Sequence, residues 1–182
     1  DDMKDLLPSL KRMKLEAKAG FGDDTLFIEK YITNPRHIEV QILADKHGNV
    51  VHLGERDCTI QRRFQKIIEE SPSPVLKEKK RQEICQSAVD LAKYVNYDSV
   101  GTVEFLYDQD EEKFYFMEMN TRIQVEHPIT EERTKVDLIA QQIKSAMEEK
   151  LSFSQEEIVF TGHSLECRLN AEDPETQMPS PG

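Results

Sequence analysis

Glu118-Met119-Asn120-Thr121-Arg122-Ile123-Gln124-Val125-Glu126-His127-Pro128 is the stretch that decides how the rest of this chain is read. Glu118, Asn120, Arg122, Gln124 and Glu126 fall on every second position, so in an extended chain all five point to one side. That side carries carboxylates, amides and a guanidinium within roughly 27 Å of backbone, at ~3.4 Å per residue. Carboxylate plus amide oxygen suits a hard divalent cation such as Mg2+. Guanidinium beside carboxylate suits an anion with a base next to it. A solvated strand face gives the same alternation. Phe114 and Phe116 weigh against that alternative. Counted in the same register, they make this face begin apolar and turn polar, as a strand does where it leaves a core at a cleft.

The preceding segment, Gly101 to Tyr107, reads as a strand, and Asp108 to Glu112 as an acidic turn leading into a second strand, Lys113 to Asn120. Glu104 stands there among β-branched and aromatic residues, where burial is costly without a partner. If the two strands pair about the turn, Glu104 lies near Glu118. Side-by-side glutamates repel unless a metal or a shared proton intervenes, and Mg2+ bridging phosphate oxygens is the natural occupant. The alternative is that each glutamate faces solvent or an arginine.

Further out, residues 8–19 have helical spacing, with Pro8 near the first turn and Gly20 and Gly22 at the end. Leu26 to Ile32 and Arg36 to Ala44 read as strands. In the second, Ile38, Val40 and Ile42 share one face, and His37, Glu39 and Gln41 the other. His47-Gly48-Asn49 predicts a turn into a strand through Val50, Val51 and Leu53. Ser71-Pro72-Ser73-Pro74 breaks structure within residues 65–76. A helix is expected over Lys77 to Val95, another over Val136 to Lys150 with Ile139, Ile143, Ala146 and Met147 inward, and a last strand over His163 to Leu169. The sum is an α+β fold with a mainly antiparallel sheet flanked by helices.

Composition narrows the function. The chain has 182 residues, 37% hydrophobic and 32% charged, enough for one ordinary domain or parts of two. A net charge of −11 argues against general nucleic-acid binding. No apolar run approaches the ~18 residues of a membrane span, and no secretory signal opens the chain. Cys58, Cys85 and Cys167 are widely spaced with no C-x-x-C, so each reads as a small buried hydrophobe in a reducing compartment.

Arg56 to Lys66, R-D-C-T-I-Q-R-R-F-Q-K, inverts the local charge balance and suggests an anion site, or else a surface strand answering Glu69 and Glu70. Glu29-Lys30-Tyr31 ends an apolar run and could read the edge of an adenine. His37 with Glu39 could bond a ribose, or the two could bond each other. The seven glycines are scattered, without a G-x-G-x-x-G or G-x-x-x-x-G-K phosphate loop.

Taken together, E-K-Y at 29–31, N-P-R-H-I-E-V-Q at 34–41, E-R-D-C-T-I-Q-R-R at 55–63, Q-K-I-I-E-E at 65–70, E-M-N-T-R-I-Q-V-E-H-P at 118–128 and E-C-R-L-N-A-E-D-P at 166–174 resemble biotin carboxylase. That family is the ATP-grasp component of biotin-dependent carboxylases acting on acetyl-CoA, pyruvate, propionyl-CoA and related substrates. The resemblance implies an ATP-grasp fold, with residues 1–30 as a remnant of its lid, 31–150 as its core and 151–182 as the start of the C-terminal part. It implies that bicarbonate attacks ATP to give carboxyphosphate, and that the carboxyl group passes to N1 of biotin on a carrier protein. Glu104, Glu118 and Asn120 match the positions that hold Mg2+ or Mn2+. Glu29, Lys30 and Ile32 match the adenine-contacting strand, His37 a ribose contact, and Gln61 a further nucleotide-site position. Lys66, Arg122, Gln124 and Val125 match the bicarbonate pocket, Glu126 the base, and Arg168 the residue that stabilises the biotin enolate. The implied partners are the biotin carboxyl carrier protein, a carboxyltransferase and a second copy in the complete enzyme. Neither nucleic acid nor membrane is implied, and the implied compartment is the cytoplasm, or the mitochondrial matrix in a eukaryote.

Phe64 departs from the pattern, standing where many members have histidine or asparagine. The resemblance also implies an inactive fragment, because it begins part-way through the lid and stops at Pro179-Ser180-Pro181-Gly182. Another ATP-grasp ligase of the carbamoyl-phosphate type, or a non-catalytic interaction module, are the alternatives.

Overall fold

The computed structural model describes residues 3–176 together with Met178 and Ser180. It divides into two compact units, Asp1–Ile32 and Thr33–Gly182.

The first unit is built on helix α1, Leu6–Phe21. Gly22 ends it in a left-handed conformation, φ 74°, with its N–H on the Lys18 carbonyl, and that conformation is open to glycine at little cost. The strand expected over Leu26 to Ile32 does not form. Residues 23–32 have no ladder partner among the described residues, and Phe27, Ile28 and Tyr31 are exposed. β-propensity alone cannot hold a strand that has nothing to pair with.

The second unit is a six-stranded antiparallel sheet in the order β5-β4-β1-β2-β3-β6. Its strands are β1 Pro35–Ala44, β2 Val50–Arg62, β3 Gln65–Ser71, β4 Ser99–Asp108, β5 Lys113–Asn120 and β6 Ser164–Cys167. Helix α2, Glu78–Tyr94, covers one face and packs Ile84, Cys85, Ala88, Val89 and Ala92 against Ile38, Val40, Ile42, Val103 and Phe105. Each fully buried aliphatic side chain in such a layer is worth about 1.5–3 kcal/mol. On the opposite face a smaller core joins Leu43, Val51, Leu53 and Val100 to Leu138. The rest of that face is polar. Short helices α3, His127–Thr134, and α4, Leu138–Ala146, lie in the chain after β5.

Several expectations need correction. β3 lies where Ser-Pro-Ser-Pro is expected to break structure over residues 65–76; the strand is complete at Ser71, where the prolines begin. α4 is shorter than expected and turned the other way. Leu138, Gln141 and Ser145 are buried, Ile139, Ile143 and Met147 are exposed, and the Ser145 hydroxyl bonds the Ala44 carbonyl. An apolar stripe marks an amphipathic helix, but it does not say which side meets the sheet. Cys58 and Cys85 are buried, whereas Cys167 is exposed; all three are free thiols. No helix among the described residues is long and apolar enough to cross a membrane.

Candidate active site

The polar face of the sheet opens into a cavity of about 660 Å³ lined by His37, Gln61, Lys66, Glu104, Glu118, Asn120, Arg122, Gln124, Val125, Glu126 and Arg168, with Thr59, Phe64, Leu106 and Met117 among its other walls. Glu29, Lys30 and Ile32 belong to the first unit; Glu29 and Lys30 are exposed there.

The sheet brings these residues together by register. Glu39 of β1, Glu104 of β4 and Glu118 of β5 are successive cross-strand partners. Glu118 reaches this face through a β-bulge. Glu104 pairs with Glu118, yet the next residue, Phe105, pairs with Phe116, so Met117 is the extra residue. A bulge resets the alternation. Phe114 and Phe116 therefore lie on the α2 side, at the edge of Phe105, and do not share a face with Glu118 as the simple count suggests. The extended run also stops early. β5 ends at Asn120; the His127 N–H bonds the Gln124 carbonyl, and Pro128 sits in the first turn of α3, where its fixed φ suits a helix. Arg122, Gln124 and Glu126 line the cavity from a connecting loop.

Lys66 is the electrostatic centre. Its ammonium lies 2.5 Å from Glu39, 2.7 Å from Glu126 and 3.1 Å from Glu104. Burial works against its charge, but the surrounding carboxylates, Glu39 foremost, outweigh that and raise its pKa. Glu104 accepts from Lys66, Asn120 and Gln124 on one oxygen and meets His37 at 2.5 Å on the other. Burial would raise its pKa, yet these donors bring the carboxyl down to about 2. The Gln61 amide nitrogen is 2.9 Å from His37 Nδ1, so Nδ1 is the acceptor and Nε2–H the donor to Glu104. His37 and Glu39, read as a possible pair, take different partners.

Arg56 corrects the reading of the basic stretch. It is fully buried, and its guanidinium is filled by Glu39, Gln41, Thr130, Thr102 and Gln124. It braces β1, β4 and α3 from beneath the cavity and does not face a ligand. Arg62 pairs with Glu172. Among this group, Lys66 is the cation that reaches the cavity from a strand. Phe64, at the β2–β3 turn with φ 63°, is almost wholly exposed at 99%.

Glu126 is buried, yet its two oxygens are divided between cations. One takes Lys66 at 2.7 Å and the other takes Arg168 at 2.9 Å. Arg168 also holds the buried Glu69 at 2.6 Å. Arg122 is exposed, with contacts of 3.2 Å to the Ile123 carbonyl and 3.4 Å to Asn120 Oδ1, so most of its fork is open to an incoming anion.

The donor set at Glu104, Glu118 and Asn120 fits a hard divalent cation. Two carboxylates and an amide converge there, and the Asn120 amide nitrogen reaches Glu104 at 2.8 Å and Glu118 at 3.4 Å. Turning that amide over presents its oxygen between the carboxylates, an all-oxygen set of the kind Mg2+ takes.

The family is settled by comparison. Residues 1–154 match the model of the carbamoyl-phosphate synthase L chain, ATP binding domain. The chain belongs to this family. Biotin carboxylase from Pseudomonas aeruginosa is 52% identical over 181 residues, 100% of this chain and 40% of that protein. The biotin carboxylase–β,γ-ATP complex from Campylobacter jejuni superimposes with a TM-score of 0.89 at 51% identity, covering 100% of this chain and 40% of that one. The biotin carboxylase domain dimer of Hydrogenobacter thermophilus 2-oxoglutarate carboxylase, in complex with MgADP, ADP and bicarbonate, gives 0.84 at 50% identity over 96% of this chain and 38% of that one. The fold is the ATP-grasp α+β fold, and the resemblance read in the sequence is borne out. The chain spans about 40% of the length of such relatives.

Proposed function

We propose that this chain carries the bicarbonate-activating and biotin-facing part of an ATP-dependent biotin carboxylase. The observation that carries the reading is Glu126, a buried carboxylate held between Lys66 and Arg168 at the cavity wall and followed across the same cavity by the open guanidinium of Arg122.

Bicarbonate is an oxyanion with one proton to lose. Arg122 and Lys66 draw it in, Gln124 and Val125 shape the pocket, and Glu126 accepts its proton. The anion then attacks the terminal phosphate of ATP to give carboxyphosphate and ADP. The carboxyl–phosphate C–O bond then breaks with phosphate as the leaving group, biotin N1 gives its proton to that phosphate, and the carboxyl group bonds to N1, while Arg168 stabilises the enolate oxygen of the deprotonated biotin by fixed positive charge. Glu104, Glu118 and Asn120 would hold Mg2+ or Mn2+, which when bound neutralises phosphate charge. His37 and Gln61 take the ribose side of the nucleotide, and Glu29, Lys30 and Ile32 the adenine edge. Residues 1–30 belong to the lid, 31–150 to the core and 151–182 to the start of the C-terminal part. A biotin carrier protein, a carboxyltransferase and a second copy are the partners of the complete enzyme, and two buried free thiols suit the cytoplasm.

The test is Glu126→Gln in the complete enzyme. Bicarbonate-dependent ATP cleavage should fall by ~10²–10⁴-fold, the range for loss of a general base, with ATP affinity retained. Unchanged turnover would remove Glu126 from the mechanism.

A further inference from the structure

Among the described residues, Glu55, Glu69 and Glu166 each have one buried carboxylate oxygen with no hydrogen-bond partner. Two of them are cross-strand partners. β3 and β6 pair with Glu69 directly opposite Glu166, a register that sets Cβ atoms ~4.5–5.5 Å apart. Glu69 is fully buried and gives its other oxygen to Arg168 Nε at 2.6 Å. Arg168, two residues on from Glu166 and just past the end of β6, spends Nη2 on Glu126 at 2.9 Å.

Two carboxylates, Glu69 and Glu126, therefore bond one guanidinium, and the charge of a third, Glu166, acts on it from across the strand pair. The other charged groups acting on the pair are Arg56 of β2 and, at the start of α3, Glu126 and His127. Burial raises the pKa of both Glu69 and Glu166, and Glu126 adds to it. Two carboxylates in such a place cannot both ionise cheaply.

We propose that Glu69 and Glu166 share one proton, forming an acid–carboxylate pair that positions Arg168 at the cavity. The proton resides on Glu166, because Glu69 accepts the charge-assisted bond from Arg168. Its O–H donates to the free oxygen of Glu69, so one proton satisfies both orphaned atoms. In that state Arg168 is balanced between one negative charge at Glu69 and one at Glu126. When the proton leaves, the extra charge at Glu166 draws the guanidinium back from Glu126. The inference rests on strand register and on the bonds of Arg168, so it stands or falls separately from the carboxylation reading.

The experiment is a pH titration of this chain with ¹³C-labelled glutamate carboxyls and ¹⁵N-labelled arginine, with Glu69 and Glu166 assigned by Glu→Gln variants. The pair should release its last proton above the ordinary glutamate range, because burial and the neighbouring Glu126 disfavour the second negative charge. The Arg168 Nε–H signal should shift across the same midpoint. In Glu166→Gln the amide donates where the acid did, and the Arg168 signal should lose that pH dependence. Both carboxyls titrating in the ordinary range in the unsubstituted chain, or an Arg168 signal indifferent to their midpoint, overturns the proposal without recourse to any variant.

Discussion

Lys66 Nζ lies 2.7 Å from Glu126 Oε1, and through that contact the charges that hold the sheet together become the charges of the cavity. The same ammonium bonds Glu39, which is locked to the buried Arg56, and Glu104, which sits beside Asn120. The carboxylate proposed to act as base is thus fixed by a network reaching across β1, β2, β3 and β4.

That network sets a contrast in stability. Lys66→Met leaves Glu39, Glu104 and Glu126 without their shared cation, and loss of one partner from a buried ion pair costs about 3–5 kcal/mol. Arg122→Ala removes an exposed side chain with only long contacts and should change stability by less than about 0.5 kcal/mol. Urea unfolding at neutral pH compares the two. Equal small losses would mean that Lys66 is not the structural centre described here.

Acid should weaken the fold through Glu104. Its folded pKa of about 2 lies below the ordinary glutamate value of 4.5, so its contribution is complete above the unfolded value and is lost as pH falls from there toward the folded one. The effect is on the order of a few kcal/mol. The lowered pKa of the buried Glu39 acts in the same direction. Glu104→Gln should flatten this part of the stability–pH curve. An unaltered acid limb in the variant would assign the acid sensitivity to other groups.

The pairing of Glu104 with Glu118 was legible because a short acidic turn joins their strands and leaves little freedom of register. The bulge at Met117 was not, since nothing in F-M-E-M-N says where a strand takes an extra residue. Arg56 misled for a physical reason. A buried arginine with its fork filled and an arginine facing an anion look alike in a charge count, and only the threonines and glutamines from three other segments separate them. The strand is legible to its last residue, Asn120, but the loop from Thr121 to Glu126 is not the continuous extended run that the every-second-position spacing suggests. Its side chains still reach one cavity, because the turn into α3 folds them over the sheet. The proline pair after β3 marks a boundary, and only pairing with β2 and β6 reveals the strand before it.

Metal binding can be followed without activity. Mn2+ titrated into this chain should broaden the Asn120 side-chain amide signal first, with Glu104 and Glu118 as neighbours. Glu118→Gln should weaken the effect by at least about 10-fold, the lower end of the loss seen even for groups outside a metal's immediate ligands. Glu118 is exposed, so its stability should not change. Broadening that begins elsewhere and ignores this substitution would place the cation at another site.

In the complete enzyme, Arg122→Ala should reduce bicarbonate-dependent ATP cleavage by ~10²–10³-fold, the loss typical of one transition-state charge donor. ATP affinity should be nearly unchanged, because Arg122 is proposed to serve the oxyanion and not the nucleotide. A fall in nucleotide affinity as steep as the fall in turnover would make Arg122 a phosphate ligand instead.

The 182-residue chain by itself should not turn over ATP with bicarbonate and free biotin, although Lys66, Arg122, Glu126 and Arg168 all line its cavity. Its span is about 40% of that of its relatives. Its sequence holds no G-x-G-x-x-G or G-x-x-x-x-G-K motif of the kind whose backbone N–H groups cradle phosphates. Holding reactants in line supplies up to ~7–11 kcal/mol of barrier reduction, and side chains on one wall of a cavity do not provide that constraint on the phosphates. Weak nucleotide binding without catalysis is the expected state. Phosphate release from the purified chain, measured with and without bicarbonate, decides the matter. A rate comparable to that of a complete enzyme would mean that the sheet and its charges suffice for the chemistry, and that phosphate positioning is provided by residues of this cavity.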